Sequence, residues 1–396
     1  MRSSEICRRQ LLRLALSGTA LGLSARPLGD RDTSFAAYRE RAGAAAGSLE
    51  AFRETSLSGS KSFIAAPIGR ILTADERVFF ADERPWGYIL FARNVFSGPQ
   101  LADLVAELRE LGGRPTTPIF IDQEGGRIQR LRPPLAPSYP PAEALGHLYR
   151  LHASEGQRAA WLQGRLLADD LAAYGINADC VPCLDVPVEG AHSVIGDRAF
   201  ATDPQVVATL GRAMADGLVA GGALPVMKHV PGHGRGAADS HLELPHVSTP
   251  RSELSRTDFL PFKALNTLPA AMTAHILYRD IDPTRPATLS PIVIDQVIRT
   301  EIGFDGLLMS DDMSMKALKG DLYDLSSRAL TAGCDVVLHC NGDMEEMRHV
   351  ARAAQPLSGD AERRALAAEA VLAPPRGSQA VAALRAEYDD LMARLG

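Results

Sequence analysis

The segment with the most chemistry runs Lys228-His229-Val-Pro-Gly-His-Gly-Arg-Gly-Ala-Ala-Asp239-Ser-His241. Four of the ten histidines of the chain fall between His229 and His246. Its glycines and proline rule out a helix, so it reads as a loop able to bring side chains over a site. In Asp239-Ser-His241 the acid and the imidazole are two positions apart, on one face of an extended chain, where the carboxylate can reach the ring. Such a carboxylate fixes the tautomer and favours the protonated form, as a general acid near neutral pH requires. The same three residues would also suit a plain turn closed by an Asx hydrogen bond. A second polar cluster, Ser310-Asp311-Asp312, follows the apolar run Gly306-Leu-Leu-Met309. Neighbours in extended chain face opposite ways, so one of the two acids can enter a site as nucleophile, base or metal ligand while the other caps the next helix. A third, Asp122-Gln-Glu-Gly-Gly-Arg-Ile-Gln-Arg130, follows Pro118–Ile121, and His275 follows Ala271–Ala274.

All of these lie just after short apolar runs, and the runs explain how they could meet. Eight strand candidates are spaced along the chain: Ser62–Ala66, Gly87–Phe91, Pro118–Ile121, Asn177–Pro182, Leu224–Met227, Ala271–Ala274, Gly306–Met309 and Asp335–Leu338. Helical patterns alternate with them, among them Gln100–Leu111, Gly156–Tyr174, Pro204–Ala220, Pro291–Ile302 and Leu322–Ala332. Thr73-Ala-Asp-Glu spells a capping box, and Gly112-Gly113, Gly175 and Gly221-Gly222 close helices ahead of the next strand. Eight strand–helix pairs predict an α/β fold, a single (β/α)8 barrel of TIM type, whose working residues sit where strands end. A doubly wound open sheet is the alternative, but Ala65-Ala-Pro-Ile-Gly-Arg is no nucleotide-binding fingerprint. The barrel domain is placed at residues 61–396, with Asp360–Gly396 as extra C-terminal helix broken at Pro374-Pro375.

Composition narrows the function classes. A net charge of −6, with no basic stripe, argues against nucleic acid. No apolar run reaches the ~20 residues of a membrane span. Five scattered cysteines make no disulfide framework. Cys180-Val-Pro-Cys183 has metal-like spacing, but no second pair completes a site, and buried strand residues are the expected reading. Residues 1–60 form an N-terminal extension. Its Arg8-Arg9-Gln10-Leu11-Leu12-Arg13, followed by apolar Leu14–Leu23, resembles a twin-arginine export signal; the alternative is a disordered tail.

Taken in order, the three polar clusters resemble the β-N-acetylhexosaminidases of glycoside hydrolase family 3, the bacterial cell-wall-recycling type. Gly196-Asp-Arg198-Ala-Phe, Ala274-His275 and Ala287-Thr-Leu-Ser290 match as well, so the resemblance spans roughly Ser62 to Ala354. It implies a retaining hydrolase with Asp311 as nucleophile, forming a covalent glycosyl-enzyme, and His241 as acid and then base, assisted by Asp239. It implies that Asp122, Arg130, Arg198, Lys228 and His229 bind the terminal sugar. An Asp–His pair here replaces the second carboxylate of most retaining enzymes, and activity should fall as pH rises through the His241 pKa. The implied substrate is N-acetylglucosamine linked in peptidoglycan-derived muropeptides, with no cofactor and no metal, and a monomer is expected. Cytoplasmic location follows from the resemblance, and periplasmic location from the twin-arginine-like start. Val230 departs from the family's more usual aromatic or larger aliphatic residue, a difference of packing. There is no room after the barrel for the second domain of the family's β-glucosidases.

Two readings of other classes compete. A metal-dependent amidohydrolase would use His229, His233, Asp239, His241 and His275 as ligands, but Ala65 and Ala66 stand where an HxH pair is wanted. A passive sugar-binding protein would have no use for a proton donor beside a nucleophile.

Overall fold

Alternation along most of the strands, interrupted by register shifts, sorts side chains into two cores, and these define the architecture. A computed structural model describes residues 57, 59–190, 192–236, 240, 242–372 and 378–395; the arginine-pair segment, Asp239 and His241 lie outside the described residues. Eight parallel strands close on themselves: β1 (Lys61–Ala65), β2 (Pro85–Leu90), β3 (Ile119–Ile121), β4 (Ala178–Asp179), β5 (Leu224–Val230), β6 (Ala270–Thr273), β7 (Leu307–Asp312) and β8 (Val336–Leu338). Each pairs with its neighbours in sequence, and β1 pairs with β8 through Phe63↔Val337 and Ile64↔Leu338. Every one of the eight predicted strands is thus a barrel stave, and the (β/α)8 barrel is the observed fold.

In β1, Ile64 points into the barrel with Phe120, Val226, Met272 and Met309, while Phe63 and Ala65 pack outward against the helical ring. Alternate residues thereby fill the barrel interior as a solid core. The helices follow the signals in the sequence. Thr73 caps Ala74–Glu83 with the full capping box, and Asp321 caps Leu322–Ala332. Gly113 and Gly222 end their helices in the left-handed conformation. Helices Ala153–Ala172 and Pro204–Gly221 approach so closely that a Cβ on Gly164 would stand 2.1 Å from the carbonyl of Met214. The segment expected as an ordinary helix at 291–302 instead winds as a π-helix over Val293–Glu301, closed by Ile302 N–H to Val297 O at 2.8 Å. Its buried residues are Val293, Ile294, Val297 and Ile298, two pairs four positions apart, a spacing that the wider winding keeps on one side.

The N-terminal end of the barrel is plugged by helix Gly359–Glu369. Ala365 and Ala368 join the interior core there, and Glu369 accepts from Trp86 Nε1 (2.8 Å), Thr116 Oγ1 (2.5 Å) and Arg114 Nη2 (3.2 Å). A further helix, Ser378–Met392, lies along Ala153–Ala172, with Tyr388 donating to Gln163 Oε1 and Arg385 paired to Asp170. No helix among the described residues is long and apolar enough to cross a membrane.

Candidate active site

The opposite, C-terminal end of the barrel carries the polar clusters. The loop after β3 turns back as a small hairpin, Gln123–Gly125 with Ile128–Gln129. Gly125 has φ +99°, and a Cβ there would fall 2.4 Å from the Pro140 carbonyl, so only glycine fits. Gln123 holds the loop's return by accepting from the N–H groups of Arg130 and Leu131 at 2.9 Å each. This brings Arg130 back over Asp122, and their side chains meet at 3.0 Å.

Around that pair a chain of alternating charges closes. Lys228, at the end of β5 and 2% exposed, donates to Asp122 Oδ1 at 2.9 Å and to Glu124 Oε1 at 2.7 Å. Glu124 in turn takes both arms of Arg198, at 2.8 and 2.9 Å, a two-point match of guanidinium and carboxylate. Burial alone would raise both acids; the opposing cations win. Lys228 and Arg130 hold Asp122 well below the usual carboxylate range, and Arg198 with Lys228 takes Glu124 down to about 2. Lys228 is likewise kept charged, since Asp122 and Glu124 outweigh its desolvation. Asp179, which accepts from the Gln123 N–H, goes the other way: burial pushes it well above the ordinary value.

Beside this chain, Asp185 orients the imidazoles. It accepts from the backbone N–H of His233 at 2.6 Å, and its other oxygen lies 2.6 Å from His229 Nδ1. Burial lowers His233 to about 4, so that ring is neutral, and its Nε2 lies 3.2 Å from Ser240 Oγ.

Asp122, Arg130, Arg198, Lys228, His229 and Asp311 all line one cavity of about 300 Å³, with Phe91, Arg93 and Met315 among its other walls. Ser240, the residue between Asp239 and His241, lines it too. Of the acid pair that ends β7, Asp312 is committed to the following loop: its carboxylate accepts from Ser314 N–H and Oγ and from Cys340 N–H. His275 is similarly tied, to Thr288 Oγ1 and the carbonyl of Asp312. Cys180 and Cys183 are both buried with free thiols, as expected, but they lie just beyond β4 and not within it.

Glu124 and Asp185 are the site members that sequence reasoning passed over. Glu124 sat inside a motif already singled out; its place two residues after Asp122, on the same face of the hairpin strand, was the available signal. Asp185 stands alone in Leu184-Asp185-Val186, and nothing local marks it.

A (β/α)8 barrel with carboxylates, a buried lysine and imidazoles gathered at the C-terminal ends of its strands is the arrangement of a barrel enzyme with its active site at that end. The comparisons give the family. Residues 67–372 match the glycosyl hydrolase family 3 N-terminal domain. The chain is 42% identical over 278 residues to the beta-hexosaminidase of Methylococcus capsulatus, covering 69% of this chain and 81% of that one. It is 40% identical to the beta-hexosaminidase of Alkalilimnicola ehrlichii, over 69% and 78% of the two chains. Among solved structures, NagZ from Neisseria gonorrhoeae, in complex with N-trifluoroacetyl-D-glucosamine, superposes with a TM-score of 0.76 at 32% identity, over 85% of this chain and 98% of that one. A family 3 β-N-acetylglucosaminidase from Paenibacillus gives 0.73 at 29% identity, over 84% and 67%. The chain belongs to glycosyl hydrolase family 3. It is a glycoside hydrolase of the group that contains these bacterial hexosaminidases.

Proposed function

We propose that the protein is a retaining β-N-acetylhexosaminidase that removes terminal β-linked N-acetylglucosamine from peptidoglycan-derived muropeptides. One observation carries the reading: a chain of alternating acidic and basic side chains lines a monosaccharide-scale cavity that also contains Asp311. Asp122, Lys228 and Arg198 offer charged partners to neutral hydroxyl groups, whose hydrogen bonds gain strength where water is excluded. The named relatives support the sugar, being beta-hexosaminidases and, in one case, an enzyme bound to a derivative of glucosamine.

Asp311 attacks the anomeric carbon to give a covalent glycosyl-enzyme while His241, assisted by Asp239, protonates the departing oxygen. His241 then takes a proton from the incoming water, which releases the sugar with its configuration retained. Ser240, which stands between Asp239 and His241 in sequence, lies on the cavity wall and supports this assignment. The five sugar-binding assignments, Asp122, Arg130, Arg198, Lys228 and His229, rest on the same wall. The enzyme acts as a cytoplasmic monomer, without a catalytic metal, on this reading, and dialysis against EDTA leaves full activity. Intact mass spectrometry after incubation with a slow 2-fluoro or 5-fluoro N-acetylglucosaminide decides the central point. An adduct mapped to Asp311 is expected; an unmodified protein that still turns over an aryl N-acetylglucosaminide by inversion overturns it.

A further inference from the structure

Directly behind the sugar cavity, three side chains from two strands meet. Cys183 and Asp185 follow β4, and His229 is the last residue but one of β5. All three are buried, and their donor atoms lie within 4.8 Å of one another. We propose that Cys183, Asp185 and His229 form a binding site for a thiolate-preferring divalent cation, and that an ion seated there switches off hydrolysis.

The donor set is one sulfur, one imidazole nitrogen and one carboxylate oxygen, the mixture that suits zinc, cadmium and cobalt and does not suit magnesium or calcium. Ligands at ~2.0–2.3 Å around a tetrahedral ion stand about 3.3–3.7 Å from each other. Cys183 Sγ is already 3.3 Å from Asp185 Oδ2. The Asp185 Oδ2 to His229 Nδ1 separation, 2.6 Å, needs to open by under about 1 Å. Asp185 is anchored for the task, because its other oxygen is held by the backbone N–H groups of His233 (2.6 Å) and His229 (3.3 Å). His229 also lines the sugar cavity, which gives an ion its route to the cluster.

Loading is a ligand exchange in which no electron changes hands. Cys183 gives its thiol proton to solvent and binds as thiolate. The proton on His229 Nδ1 leaves that atom, either to solvent or to Nε2, and the freed lone pair binds the ion. Asp185 turns from hydrogen-bond acceptor to ligand. The face that His229 shows the sugar is thereby changed, and the loss of hydrolysis rests on the reading above that this face contacts substrate. Sequence spacing hid the site: Cys180-Val-Pro-Cys183 suggested a cysteine partner, whereas the partners of Cys183 are an acid two residues on and a histidine from the next strand.

Cobalt titration of the metal-free full chain tests binding independently of turnover. Thiolate-to-cobalt charge-transfer absorption in the near ultraviolet is expected to saturate at one equivalent. It should vanish in Cys183→Ser and in Cys183→Val, each checked for folding by circular dichroism, and persist in Cys340→Ser and Cys7→Ser. Absence of the band in the parent protein, or its survival in a folded Cys183 variant, overturns the proposal. A second arm follows cadmium inhibition, with each protein normalised to its own basal rate. The inhibitory concentration should rise by at least about tenfold in Cys183→Ser, the scale on which even outer partners of a metal ligand matter; an unchanged value overturns the regulatory half. His241→Ala should keep the cobalt band although inactive, so failure of the hydrolytic reading and failure of the metal site remain distinguishable.

Discussion

Lys228 is the residue on which the sugar wall hangs, since among the described residues it alone pairs with both Asp122 and Glu124. Replacing Glu124 by Gln removes the charge that Arg198 and Lys228 share while keeping its shape. A charge-assisted hydrogen bond contributes about 1.5–3 kcal/mol, so kcat/KM for an aryl N-acetylglucosaminide should fall about ten- to a hundredfold. Steady-state kinetics on a variant with unaltered circular dichroism measures this; parent-like kinetics would count against a role for the chain in binding. The pH dependence has a definite sign. The folded-state pKa values of Asp122 and Glu124 are depressed, so their contribution to stability is complete above the unfolded value of about 4 and is lost progressively as pH falls below it, through about 2 for Glu124 and lower still for Asp122. Neither acid titrates near neutrality. On the proposed mechanism the alkaline fall in kcat/KM belongs to His241, which must be protonated to assist departure, and the logarithm of the rate should drop with unit slope above its pKa. An N-acetylglucosaminyl fluoride, whose departing fluoride needs no proton from the enzyme, should show a weaker fall in the glycosylation step; an equal fall for both substrates would point away from acid catalysis.

Elements were far more legible than contacts. All eight staves could be read because each is a short apolar run bounded by glycine, proline or a capped helix, and such signals are local. The same holds for the Thr73 capping box and for the left-handed Gly113 and Gly222. The π-winding of Val293–Glu301 could not be read, since its apolar spacing is shared with an ordinary helix. The Asp185–His229 contact joins positions 44 apart and leaves no trace in local pattern. The plug at the barrel's N-terminal end is of this long-range kind too. Arg114, 4% exposed, pairs there with Glu369, 2% exposed, across most of the chain. Arg114→Ala leaves that carboxylate buried without its cation, a change that typically costs 3–5 kcal/mol. Thermal unfolding should shift down by several degrees, and the companion Arg114→Ala/Glu369→Gln protein should recover part of the loss; equal melting of all three would show that the plug contributes nothing.

At the scale of the whole molecule, the chain's two ends of the barrel do separate jobs. The N-terminal end is closed by a helix and a buried ion pair, and the C-terminal end is left to the loops. The helix Ser378–Met392 serves the C-terminal end, because Tyr388 donates to Gln163, whose amide donates to the carbonyls of Glu124 and Pro140. The hairpin that presents Glu124 is therefore braced from outside the barrel.

The alternating charge chain has one more implication, for how the enzyme meets its medium. Asp122, Glu124 and Asp311 offset Lys228, Arg130 and Arg198, so the cavity wall is close to electroneutral when these groups are ionised. A neutral sugar entering it displaces water and no counterion, and no long-range field draws it in. The Michaelis constant for an uncharged glycoside should thus stay level as sodium chloride is raised from about 0.01 M to 0.5 M, a span over which the Debye length shrinks from about 30 Å to well under 10 Å. This enzyme is then built to work alike in dilute and in salty surroundings.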